Sequence, residues 1–199
     1  MTHSYLKQTS NEHTNTLVVS FAGYNKMYAG IVRFEFANFL TTHFANTDRQ
    51  FYMDTKLDLY HKGIAGISNT IDETVAYLKT EIAKYKNVVF IGVSSGGYAA
   101  ILFGSLLNVT SVVAFIPQTV RIKKDIDEKY RDLREHINSS TKYYIYGDTS
   151  ITNENDFHHI RHCERIAQRP NVFLFKKDGI DLRRLRDNGE LYAILNDVL

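Results

Sequence analysis

Asn87-Val-Val-Phe-Ile-Gly-Val-Ser-Ser-Gly-Gly-Tyr-Ala-Ala-Ile-Leu-Phe-Gly-Ser-Leu-Leu-Asn108 reads as a strand, a sharp turn and a buried helix. Val88 to Ile91 is a continuous apolar run with β-branched residues, as a strand covered on both faces requires. Gly96 to Leu107 carries almost no polar side chain, so its helix is also expected to be buried. Between them stands Gly92-Val93-Ser94-Ser95-Gly96, a G-x-S-x-G turn. A strand that reverses directly into a helix strains its central residue, and glycines on either side let the two backbones pass. Ser94 is therefore expected in an outlying backbone conformation, its hydroxyl opening onto a pocket at the strand's carboxyl end. The N–H of Ser95, at the helix N-terminus, would point toward an oxyanion formed at a carbonyl attacked by Ser94.

This arrangement resembles the nucleophile elbow of the α/β-hydrolase superfamily. Ser94-Ser95-Gly96-Gly97-Tyr98-Ala99-Ala100, followed after the next strand by Pro117-Gln118, is similar to the elbow of small single-domain bacterial serine hydrolases. The resemblance implies an α/β fold: a three-layer αβα sandwich around a mostly parallel sheet of about six to seven strands, with a minimal lid.

Composition is consistent with that expectation. A chain of 199 residues with 44% hydrophobic content is sized for one core, so residues 1–199 are read as a single α/β-hydrolase-like domain. The net charge of +2, without a basic cluster interleaved with aromatics, points away from nucleic acid. Cys163 is the lone cysteine, which rules out an intramolecular disulfide and suits a reducing compartment. The first residues lack a charged-then-apolar leader and no run reaches about 18 apolar residues, so a cytoplasmic protein without a membrane segment is expected. No pattern fixes an oligomeric state.

Taken in order, the chain offers a short edge strand over Tyr5–Lys7 and a clear strand over Leu17–Phe21, which ends in the loop Ala22-Gly23-Tyr24-Asn25. A helix is expected over Ile31–Phe44 and a strand over Phe51–Asp54. The loop Leu57 to Gly63 then carries His61 toward the carboxyl ends of the strands. Thr70-Ile71-Asp72-Glu73 is a capping box, and Ile71, Val75, Leu78, Ile82 and Tyr85 follow at helical spacing. Beyond the elbow come a strand over Ser111–Ile116, a helix over Asp125–Ile137, and a strand over Lys142–Tyr146. Asp156 is expected to cap a helix containing Phe157, Ile160, Cys163, Ile166 and Ala167. The last strand covers Asn171–Phe175, and Leu182 to Leu199 supplies closing helical turns broken near Gly189.

A serine hydroxyl needs a base to take its proton, and the base needs an acid to fix its tautomer. By the resemblance, Asp148, directly after the fifth core strand, matches the acid, with Asp156 as the alternative. The loop at Ala22 and Gly23 matches the source of the second oxyanion N–H. The place of the family's histidine, after the last strand, is taken by Ile180. Either another histidine has been recruited, His159, His158 or His61, or the site has lost hydrolysis and the protein binds or scaffolds through the same fold. His158, His159 and His162 lie at spacings that would also permit a metal pair, but nothing completes the ligand set, and neither metal nor cofactor is expected. A P-loop is excluded because its Lys-Ser/Thr ending is missing. The expected function is serine hydrolysis of a small-molecule acyl ester or thioester.

Overall fold

The computed structural model describes residues 4–24, 34–121 and 127–199. Its strands are β1 (Tyr5–Gln8), β2 (Thr16–Phe21), β3 (Asp48–Tyr52), β4 (Asn87–Val93), β5 (Ser111–Phe115), β6 (Lys142–Asp148) and β7 (Val172–Lys177). They form one seven-stranded sheet in the order β1-β3-β2-β4-β5-β6-β7, in which only the β1–β3 pair is antiparallel. The helices are α1 (Ala37–His43), α2 (Ile71–Ile82), α3 (Ser95–Leu107), α4 (Arg161–Glu164), α5 (Leu182–Asp187) and α6 (Glu190–Asn196).

Side chains alternate across the pleat, and this splits the core in two. Leu17, Val19, Phe21, Phe90, Val112 and Ile145 pack with α2, α3 and Cys163 of α4 on one face. Val18, Val89, Ile91, Val113 and Phe115 pack with Phe39 and Leu40 of α1, Leu185 of α5 and Leu191 and Leu195 of α6 on the other. The result is the expected three-layer sandwich. Successive strands leave β2 in opposite directions, β3 to one side and β4 to the other, so the order reverses between β2 and β4. Open α/β sheets bind ligands in the crevice at such a reversal. The Ala22-Gly23 loop and Ser94 both lie there.

Four expected elements differ. The second core strand begins at Asp48, three residues before the apolar run, because its polar start is fully bonded. Tyr85 donates to Asp48, Arg49 donates to the carbonyls of Phe44 and Thr47, and Gln50 donates to Glu81. Satisfied polar groups of this kind can be buried at little cost, which a hydropathy pattern does not register.

The helix expected over Asp125–Ile137 is instead two short 3-10 turns, Glu128–Tyr130 and Leu133–Glu135, and its first two residues lie outside the described ones. Asp127 and Asp132 accept from the N–H groups of Lys129 and Arg134, and such side-chain-to-backbone bonds compete with helix propagation. The helix expected from Ile31 forms from Ala37; residues 31–33 lie outside the described ones. The fourth difference, after β6, builds the candidate site.

Candidate active site

Ser94 joins β4 to α3 with φ 55° and ψ −119°, the strained conformation expected of an elbow. Glycine is required on both sides: a Cβ at Gly92 would overlap the backbone of Gly96, and one at Gly96 would overlap that of Phe21. The Ser94 N–H is held by Phe115 O at 2.9 Å, and its side chain makes no cap bond to the helix, which leaves Oγ free. Ser95 follows as the first helical residue, so its N–H belongs to the unpaired first turn of α3. Ser94 is half-buried. Two surface depressions, of about 260 and 220 Å³, lie elsewhere, one beside Arg134, Arg165 and Arg169 and the other beside Arg49 and Glu81. The pocket expected over Ser94 is neither of these.

The imidazole that meets Ser94 is His158: Nε2 lies 2.7 Å from Ser94 Oγ. Between Asn153 and Arg161 the chain winds through consecutive turns, in which the carbonyls of Asn153 and Asp156 accept from Asp156 N and His159 N and side chains take intervening N–H groups. Asn153 accepts from Asn155 N, Asp156 from His158 N at 2.8 Å, and His159 Nδ1 from Arg161 N. These local bonds postpone the helix to Arg161–Glu164, where a longer one was expected from Asp156. Held on a turn, His158 projects toward the elbow. Its Nδ1 is 3.5 Å from Asp156 Oδ1, an electrostatic contact longer than a hydrogen bond, which favours the proton on Nδ1 and leaves Nε2 to accept from the serine.

The other candidates are placed elsewhere. Asp148 meets no imidazole: Oδ1 accepts from Ser150 N, Ser150 Oγ and Gly179 N, and Oδ2 from Ile180 N at 2.7 Å. Burial works to raise its pKa, but the Ser150 hydroxyl and the three N–H bonds outweigh this and hold it below the ordinary carboxylate value. The carboxylate that the resemblance matched to the acid position thus ties down the loop in which Ile180 stands where the resemblance would put a histidine. His159 pairs its backbone with Asp148 and turns its ring to Arg161 N. His61 bonds Tyr98 OH at 2.8 Å, on the first turns of α3. Ala22 N–H donates to Tyr52 O at 2.9 Å and is committed to the sheet, whereas Gly23 N–H donates to Glu35 Oε2 at 2.8 Å. Glu35 escaped the sequence reading, although an acid between two phenylalanines, Phe34-Glu35-Phe36, was a legible signal.

Among the described residues, no group of three or more histidine, cysteine, aspartate or glutamate side chains is placed to hold a metal ion. His162 is buried, with Nδ1 facing Thr119, and burial, reinforced by Arg161 and Arg165, pushes its pKa down to about 4. Burial does the same for His61, also to about 4. A histidine kept neutral in the fold lets the unfolded chain bind more protons once pH falls below its ordinary value of about 6.5. Stability is therefore expected to fall as pH is lowered from 7 to 5, a trend readable in thermal midpoints. The slope should shrink in His162→Asn, and an identical slope in that variant would contradict the burial account.

No family model matches the chain, and no curated protein matches its sequence. Its backbone is similar to several solved structures. The capsule O-acetyltransferase of Neisseria meningitidis serogroup A superposes with a TM-score of 0.68 at 15% identity, over 96% of this chain and 89% of the other. A lipase-esterase related protein from Clostridium acetobutylicum gives 0.62 at 14% identity, over 98% of both chains. Est1E from Butyrivibrio proteoclasticus gives 0.59 at 10% identity, over 96% of this chain and 91% of the other. Sheet order, elbow and near-complete overlap with esterase structures lead to one conclusion: this chain has the α/β-hydrolase fold.

Proposed function

We propose that the protein is a serine hydrolase that cleaves a small acyl ester or thioester, with Ser94 as nucleophile, His158 as base and Asp156 as the acid that orients it. The observation that carries this reading is the 2.7 Å contact between Ser94 Oγ and His158 Nε2 on a strained elbow. Ser94 Oγ bonds to the acyl carbon while its proton passes to His158 Nε2. The carbonyl oxygen becomes an oxyanion beside the Ser95 N–H, where the N-terminal end of α3 favours negative charge. Collapse returns the proton from His158 to the departing alkoxide or thiolate. Water, giving a proton to the same imidazole, then adds to the acyl carbon; the bond to Ser94 Oγ breaks, Oγ takes the proton back from His158, and the carboxylic acid leaves. The steps use only side chains and backbone N–H groups. The O-acetyltransferase and esterase neighbours support acyl chemistry on this scaffold, and the fold by itself does not select the acyl group or the leaving group.

A fluorophosphonate probe combined with a short-chain ester and thioester panel tests the proposal. Covalent labelling is expected at Ser94, disappearing in Ser94→Ala together with ester turnover. Equal turnover in that variant would refute the mechanism. A folded wild-type chain that neither labels nor turns over any ester would favour a binding or scaffold role on the same fold.

A further inference from the structure

The loop after β2 is held from both sides of a single peptide. The carbonyl of Ala22 accepts from Tyr60 OH at 3.0 Å, and the N–H of the same peptide, on Gly23, donates to Glu35 Oε2 at 2.8 Å. A trans peptide is planar, so fixing its carbonyl and its N–H fixes its orientation completely. Both clamping groups are themselves anchored. Tyr60 is fully buried, its N–H held by Asp54 Oδ2, and its hydroxyl also reaches Tyr52 O. The Glu35 carbonyl accepts from Ser20 Oγ at 2.8 Å, and the next residue, Phe36, turns the chain with φ 64°. The clamped loop lies against the elbow: a Cβ on Gly23 would stand 3.0 Å from Val93 O, one residue before Ser94.

These bonds occupy both N–H groups that the family resemblance offered to an oxyanion. Ala22 N–H is bonded within the sheet and Gly23 N–H is bonded to Glu35. The next N–H belongs to Tyr24, which has no acceptor among the described residues, while the Tyr24 hydroxyl donates to Leu57 O at 3.0 Å and fixes the residue outward. Resting on the serine-hydrolase reading, we propose that Glu35 and Tyr60 are positioning residues that clamp the Ala22–Gly23 peptide, so that Tyr24 N–H is presented beside Ser94 as the second oxyanion donor. Burial raises the pKa of Glu35, against the opposing pull of the Gly23 N–H. Glutamine can substitute, because its amide oxygen accepts from Gly23 as the acid does.

The experiment measures fluorophosphonate labelling rate and ester kcat and KM, on active-site-titrated protein, for Glu35→Ala, Glu35→Gln and Tyr60→Phe. It adds a chain carrying the α-hydroxy analogue of tyrosine at position 24, which deletes only that N–H. Loss of one oxyanion donor lowers kcat by about 10²–10³-fold, and a displaced donor by somewhat less. Falls of about 10- to 100-fold in kcat with KM unchanged are expected for Glu35→Ala and Tyr60→Phe, and a fall of about 10²-fold or more for the position-24 analogue. Glu35→Gln should stay within about threefold of wild type, a rescue that loss of stability alone would not produce. Faster labelling in Glu35→Ala would overturn the proposal by showing the carboxyl to be a plug. A normal rate in the position-24 analogue would overturn it by excluding Tyr24 N–H as a donor. Failure of the wild type to label counts against the hydrolase reading itself. The clamp is then decided by hydrogen exchange at the Gly23 amide, expected to be protected in wild type and Glu35→Gln and exposed in Glu35→Ala. Equal protection in all three chains would refute it.

Discussion

Replacing His158 with alanine is expected to lower ester turnover by about 10²–10⁴-fold, the contribution of a positioned general base, while leaving the fold intact. The imidazole is partly exposed on a turn and touches Ser94 rather than the core, so its removal opens no buried cavity. Because proton transfer occurs in the transition state, the loss should fall on kcat and kcat/KM together, with little change in KM. Ser94 itself remains, so slow residual labelling by fluorophosphonate should persist in His158→Ala and vanish in Ser94→Ala. His159→Ala and His61→Ala serve as comparisons, since their rings face Arg161 N and Tyr98 OH instead of the serine. Both are expected to retain most activity. If His159→Ala or His61→Ala removed activity while His158→Ala kept it, the base would be misassigned. Asp156→Ala should cost less than His158→Ala, about tenfold, because its contact with Nδ1 is long and half exposed and its oxygen also serves the His158 backbone.

The second large effect concerns stability and falls on Asp148. Its buried carboxylate accepts four hydrogen bonds, three from backbone N–H groups, and joins the end of β6 to the loop after β7. Alanine there leaves the N–H groups of Gly179 and Ile180 without their acceptor. Both residues are half-buried, so each orphaned donor costs about 1 kcal/mol, the low end of the range for a buried one, and a loss of about 2 kcal/mol is expected in denaturant titration. Its depressed pKa sets the sign with pH: the contribution is present above the unfolded value near 3.9 and is lost as pH falls through the lower folded value. Once folded, Asp148→Ala should still label at Ser94 at close to the wild-type rate. A stable Asp148→Ala chain with its labelling abolished would instead restore Asp148 to the acid role that the resemblance implied.

Much of the site was legible in the chain because the elbow is a local device. Gly92, Ser94 and Gly96 lie within one turn, and the need for small residues where two backbones cross is a constraint that five residues can express. The continuous apolar runs likewise marked the buried strands, since a short run of apolar residues is a local property of the chain. The polar start of β3 was hidden, because Asp48, Arg49 and Gln50 are buried only by virtue of partners distant in sequence. The turns at Asn153, Asp156 and His159 left a faint trace in their three-residue spacing, which reads equally well as a helix.

The amino-acid sequence determined the sheet, the elbow and the absence of a histidine at Ile180, since each depends on residue identity within a short window. Only the tertiary structure decided which histidine meets Ser94. His158 lies 64 positions further along, and an imidazole reaches a hydroxyl or misses it according to the turn that carries it. The same holds for Asp148 and Asp156. Two aspartates near the end of one strand have the same chemistry, and what separates them is which N–H groups the folded chain brings to each.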